Sequence, residues 1–126
     1  MKQIINSPKA PAPVGPYNQA TLAGNTLYIS GQIPIDPASG QLINDSIESA
    51  TRQVLNNIGN ILEHAGFNFD HVVKCSVFVT DMNNFARINA VYAEFFKEEN
   101  APARELVQVG ALPKFVDIEI SAIAVK

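Results

Sequence analysis

Arg104 and Glu119 are the two side chains whose types and spacing best suit a shared chemistry. Arg104 follows Pro102-Ala103 and opens an alternating stretch, Glu105-Leu106-Val107-Gln108-Val109. A turn-rich link, Gly110-Ala111-Leu112-Pro113-Lys114, separates it from Glu119, which lies among Val116, Ile118, Ile120 and Ala122. A planar guanidinium grips a carboxylate through paired hydrogen bonds. A carboxyl partly withdrawn from water has its pKa raised toward the range useful for moving protons. A symmetric hairpin centred between Ala111 and Leu112 would place Glu119 opposite Arg104 and make the two residues one site. Plainer readings stand beside this one: Arg104 as a surface arginine, or one paired with Glu99 or Glu105, and Glu119 as a solvent-facing residue between two inward isoleucines.

Other side chains could line such a site. Tyr17 follows Gly15-Pro16, and its hydroxyl can donate to a ligand or its ring can anchor a loop. Ser30-Gly31 offers a hydroxyl and a backbone N–H to an oxyanion, or simply marks a bulge. Asn89 can orient a ligand or satisfy buried backbone groups. Cys75 shares an alternating apolar face with Val73 and Val77 and reads as a small buried hydrophobe. His64 and His71 fall at element ends, as surface or capping residues, and no Cys/His cluster has metal-ligand spacing.

The elements that must position these residues follow from periodicity. Four prolines between Ser7 and Pro16 predict an extended, irregular segment that delivers Tyr17 to a fixed place. Strands are expected at about Gln19–Ala23 and Thr26–Ser30, with Gly31 as a bulge or a close backbone approach. Asp36-Pro37-Ala38-Ser39-Gly40 reads as a turn. Ile47, Ala50, Val54, Ile58, Ile61, Leu62 and Ala65 recur at helical spacing over about Ser46–Ala65, with Asp45 or Ser46 as cap and Gly66 at the end. A strand through Val73, Cys75, Val77 and Val79 precedes a second helix of about Met82–Lys97. Its stripe is Phe85, Ile88, Tyr92, Phe95 and Phe96, and Asp81 can cap it. Strands at about Arg104–Val109 and Val116–Val125 finish the chain. The order fits an α+β sandwich with one sheet and both helices on one face. The other face, with Phe78, Val109, Ile123 and Val125, is too apolar to leave in water, which predicts an oligomer interface.

The bulk composition narrows the function classes. With 126 residues, of which 47% are hydrophobic and 17% charged, the chain is expected to form a single domain spanning 1–126. A net charge of −3 and a pI near 5.2 provide no electrostatic footprint for nucleic acid. No apolar run approaches the ~18 residues of a membrane span, and the opening residues are too short an apolar run for a signal peptide. One cysteine cannot form an internal disulfide, which fits a reducing, cytoplasmic compartment.

Over nearly its whole length the chain resembles the RidA family, also called YjgF/YER057c/UK114. Three stretches carry the likeness: Gly15-Pro16-Tyr17-Asn18-Gln19-Ala20, Ile29-Ser30-Gly31-Gln32-Ile33-Pro34, and Pro102-Ala103-Arg104 through Ile118-Glu119-Ile120. Phe85 through Phe96, with Asn89-Ala90-Val91-Tyr92, is similar to the family's second helix. The resemblance implies a chorismate mutase-like fold and a homotrimeric barrel with clefts between subunits. It also implies hydrolytic deamination of 2-aminoacrylate, 2-aminocrotonate and their imine tautomers to 2-keto acids and ammonia, without a cofactor. Arg104 would hold the substrate carboxylate. Glu119 would orient water and relay protons, and Tyr17, Ser30, Gly31, Asn89 and Leu106 would line the cleft. Many members carry serine or threonine and then cysteine where this chain has Glu105 and Leu106, so a thiol-free, more apolar cleft is expected, with Glu105 as a competitor for Arg104. Two other readings are a non-catalytic 2-keto acid binder and a ribonuclease or translation inhibitor. The acidic pI and the lack of a His pair weigh against the latter.

Overall fold

The computed structural model describes residues 1–126. Its longest element, α1 (Ile47–His64), buries Ile47, Ala50, Val54, Leu55, Ile58, Ile61 and Leu62. Burying each such Leu, Ile or Val side chain is worth about 1.5–3 kcal/mol, so this stripe, more than helix propensity, fixes where α1 lies. Ser46 is the cap, its hydroxyl accepting the Ser49 N–H at 3.0 Å. Gly66 follows the helix at φ 81°, a left-handed conformation that glycine adopts without steric cost.

Six strands form one sheet: β1 (Lys2–Ile5), β2 (Ala20–Ala23), β3 (Thr26–Gln32), β4 (Val72–Val79), β5 (Ala103–Gln108) and β6 (Ile118–Val125). Their spatial order is β1-β2-β3-β6-β4-β5. Neighbours are antiparallel except β4 and β5, which run parallel. A parallel pair needs a long crossover, and α2 (Phe85–Tyr92) lies within it. Leu27 and Ile29 of β3, Cys75, Val77 and Val79 of β4, and Ile118, Ile120, Ala122 and Ala124 of β6 meet α1 and the α2 residues Ile88 and Tyr92 in one apolar cluster. The architecture is therefore mixed α+β, with both helices on the same side of the sheet.

Several expectations need correction. β5 and β6 do not form a hairpin: β4 lies between them and pairs with both, which rules out Arg104 opposite Glu119. Val73 does not face the core but is 47% exposed, because a register shift between Val72 and Lys74 turns it outward. The second helix stops at Tyr92 rather than Lys97, and its first residue, Phe85, is exposed. β1 was not foreseen; only Ile5 of its four residues is buried, so no clear alternation marks it.

The face opposite the helices carries Tyr28, Phe78, Val107, Ile123 and Val125 at paired register positions. Tyr28 is 48% and Val107 41% exposed, so within the chain this face is apolar and uncovered. No helix is long and apolar enough to cross a membrane.

Candidate functional site

Arg104 lies on the helix side of the edge strand β5, in register with the fully buried Cys75 of β4. Its guanidinium donates to the Asn89 side-chain oxygen at 2.9 Å. It also lies over the Tyr92 ring at 4.7 Å and the Phe85 ring at 5.9 Å. Leu106 is the next inward residue of β5, half-buried against the core. The expected competition from Glu105 does not occur. Strand alternation turns Glu105 to the other face, where it pairs with Lys74 at 2.8 Å, and Lys74 holds its carboxyl below the usual range.

The other two arginines show what is unusual here. Arg52 pairs with Glu94 at 2.7 Å and Arg87 with Glu48 at 2.6 Å, each through two guanidinium nitrogens. Arg104 has no acidic partner; a neutral amide orients it and aromatic faces flank it. Its charge is therefore placed without being neutralised, which leaves it competent to receive an anion.

Glu119 faces the opposite side of the sheet. Its neighbours Ile118 and Ile120 are fully buried on the helix side, and Glu119 stands in register with the outward Phe78. It is half-buried, and desolvation raises its carboxyl pKa above the ordinary value. Gly31 lies directly against it: a Cβ added there would fall 2.7 Å from Glu119 Cδ. The same place holds the register shift between Ile29 and Gln32. Gly31 is thus both bulge and close approach, and the space its missing Cβ leaves is filled by the Glu119 carboxylate.

Tyr17 and Gly31 share a cavity of about 420 Å³ with Gln32, Ile33, Pro113 and Lys114. Tyr17 is 49% exposed, and its hydroxyl accepts the Val14 N–H at 3.4 Å. The Ser30 hydroxyl is already engaged, donating to the Asn18 carbonyl at 2.7 Å, so its role in this chain is to tie β3 to the Tyr17 loop. Lys114 and Phe115 both adopt φ 56°, a left-handed backbone that costs bulky residues of order 1–3 kcal/mol each.

Gln19 is a positioning residue that the sequence reading passed over. It is 2% exposed. Its side-chain oxygen accepts the Ser7 N–H, and its amide donates to the carbonyls of Ser7, Ala10 and Pro11. This one amide folds the proline-rich segment back on itself and holds the Tyr17 loop. The signal was an amide directly after the loop, beside prolines that leave carbonyls without strand partners.

The sequence-derived residues therefore separate into two groups. Arg104, Asn89 and Leu106 lie on the helix side of the β5 edge. Glu119, Gly31, Ser30 and Tyr17 lie around β3 and the open face. Within one chain the structure does not bring the groups together.

Comparison with known proteins places this architecture. A family model described as Endoribonuclease L-PSP matches residues 7–126. A RutC family protein of Pyrococcus horikoshii is 54% identical over 126 residues, covering 100% of this chain and 99% of that protein. A Bos taurus protein named 2-iminobutanoate/2-iminopropanoate deaminase is 48% identical over 126 residues, covering 100% of this chain and 91% of its own length. Among solved structures, Escherichia coli TdcF with bound serine superimposes with a TM-score of 0.92 at 43% identity, over 98% of both chains. With matches of this extent across sequence and fold, the chain belongs to the RidA (YjgF) family, the family of the Endoribonuclease L-PSP model.

Proposed function

We propose that this protein is a hydrolase of 2-imino acids, converting 2-iminobutanoate or 2-iminopropanoate, and the enamines that tautomerise to them, into 2-keto acids and ammonia. The observation that carries the reading is Arg104, a positioned guanidinium without an acidic partner. Relatives named as such deaminases, 46–48% identical, support it.

The chemistry suits a sparse site. Arg104 holds the substrate carboxylate. Water adds to C2 of the imine, forming a carbinolamine. Glu119, whose raised pKa suits proton exchange, accepts a proton from the water and returns one to nitrogen, so that ammonia leaves and the C2–O bond becomes the keto carbonyl. Tyr17, Ser30 and Gly31 shape the cleft on the Glu119 side, and Asn89 and Leu106 shape it on the Arg104 side. Imines hydrolyse readily in water, so orientation and proton management suffice, and the reading calls for no cofactor or metal.

The two groups act as one site when Arg104 of one subunit meets Glu119 of the next in a homotrimer of single-domain chains. Two features support this: the residues face opposite sides of the sheet, and the uncovered apolar face needs a partner. The cytoplasm is the compartment consistent with this chemistry.

A coupled assay tests the reading. Threonine dehydratase generates 2-aminocrotonate, and 2-oxobutanoate release is followed while semicarbazide competes for the imine. Acceleration by wild type that is lost in Arg104→Ala supports it; equal behaviour of the two proteins contradicts it. A second reading, binding without turnover, draws support from the serine-bound TdcF structure. It predicts saturable 2-oxobutanoate binding with no acceleration.

A further inference from the structure

Three residues of α2 converge on Arg104 from one stripe of the helix: Phe85, Asn89 and Tyr92, at spacings of four and three residues. Asn89 fixes one guanidinium nitrogen at 2.9 Å. Tyr92 lies beneath the guanidinium carbon at 4.7 Å, closer than Phe85 at 5.9 Å. The Tyr92 ring is itself held in place, 8% exposed and packed at a tilt of 36° on Phe96 with ring centres 4.6 Å apart. Its hydroxyl is buried beside the Cys75 thiol, which is a weak hydrogen-bond partner. A thiol satisfies a buried hydroxyl only weakly, so the ring, more than the oxygen, is what this position offers Arg104.

We infer that Tyr92 is a positioning residue for carboxylate recognition: its ring is the platform that holds the Arg104 guanidinium flat while Asn89 sets its rotation. An aromatic face attracts a cation without neutralising it, so the platform orients Arg104 and leaves its donors for an anionic ligand. Cys75 extends the same stack inward. Burial raises its thiol pKa and keeps it uncharged, so no anion forms behind the platform to compete. Sequence periodicity assigned Phe85 and Tyr92 alike to the core; Tyr92 is there, Phe85 is exposed, and both rings face the arginine.

The inference rests on the deaminase reading, and Tyr92→Phe and Tyr92→Leu test it. Tyr92→Leu is expected to raise KM for 2-iminobutanoate about tenfold, or ~1.4 kcal/mol, with kcat within about twofold of wild type. Tyr92→Phe should retain the wild-type KM and melt close to wild type, since it removes only a hydroxyl weakly held by the Cys75 thiol. Solvent exchange of the Arg104 Nε–H, followed by NMR, should quicken in the leucine variant and not in the phenylalanine variant. An unchanged KM in Tyr92→Leu, or a phenylalanine variant as impaired as the leucine one, overturns the proposal. If wild type does not accelerate imine hydrolysis, the deaminase reading fails on its own, and pyruvate titration decides this one. A roughly tenfold weaker Kd in Tyr92→Leu alone supports the platform; equal Kd values, or no binding by wild type, overturn it.

Discussion

Around Arg104 every neighbour fixes a charge in place, whereas around Glu119 the neighbours withdraw water from a carboxyl and supply no ionic partner. The Arg104 side is a helix stripe, a buried strand and two aromatic rings. The Glu119 side is an uncovered sheet face, a bulge and a glycine whose missing Cβ leaves the carboxylate its space. The first arrangement suits a group that must not move and must not change charge. The second suits a group that must exchange protons, since desolvation makes its ionisation less favourable. The proposed division of labour between grip and proton transfer would thus follow the two faces of one sheet.

The largest expected effect breaks the grip. Arg104→Ala should lower kcat/KM by about 10²–10³-fold, the scale for removing one partner of a charged, hydrogen-bonded contact, with most of the loss in KM. Glu119→Gln should instead lower kcat by about 10²-fold, the low end for a lost acid–base group, with KM nearly unchanged. If both variants lose activity through KM alone, the contrast between the two sides is wrong.

Glu119→Gln also has a stability signature of defined sign. The Glu119 carboxyl titrates higher in the folded protein than in the unfolded chain, so the folded state holds its proton more readily. Stability therefore falls as pH rises from the unfolded pKa through the folded one, and the penalty is fully present above both. In dissociated subunits at pH 7, where no neighbour's Arg104 faces Glu119, the glutamine variant should melt higher than wild type. In wild type the kcat/KM profile should carry an acid limb from the Glu119 carboxyl, and that limb should vanish in Glu119→Gln.

Gly31→Ala sharpens the open-face side with a smaller change. Its methyl would meet Glu119 Cδ at 2.7 Å, so the carboxylate must shift. Turnover should fall about tenfold, with little loss of stability, since the group that must move is the end of a flexible side chain. A variant with wild-type kcat would show that Glu119 need not stay where Gly31 lets it lie. The smallest effect belongs to Arg87→Ala. It breaks an exposed pair with Glu48, whose carboxyl Arg87 holds down to about 2. Exposed pairs contribute little, so activity should be unchanged and the melting temperature only slightly lower, which marks the paired arginines as structural and Arg104 as functional.

Much of this was legible in the chain, and the failures have physical reasons. α1 could be read because burial at helical spacing, a serine cap and a terminal glycine all agree. β6 could be read because Ile118, Ile120, Ala122 and Ala124 alternate without interruption. The pairing of β5 and β6 could not, because a short link between two strands looks local whether or not a third strand inserts between them. The third strand here, β4, comes from before α2, and nothing in residues 103–125 encodes its arrival. Val73 was misplaced because a register shift leaves no mark in an alternating pattern. Phe85 was misplaced because aromatic residues at helical spacing look the same whether they meet a core or an arginine. The individual site residues were nameable from the family likeness, but their distribution over two faces required the fold.

That distribution can be probed directly with mixed oligomers. Arg104→Ala and Glu119→Gln, each nearly inactive alone, are unfolded together, refolded as a mixture and assayed for 2-iminobutanoate hydrolysis. If Arg104 of one subunit works with Glu119 of its neighbour, mixed assemblies contain boundaries with both residues intact. An equal mixture should then recover about a quarter of wild-type activity, as random pairing in a cyclic oligomer requires. Activity no greater than the sum of the two separate variants would contradict the account and return both residues to a site within one chain.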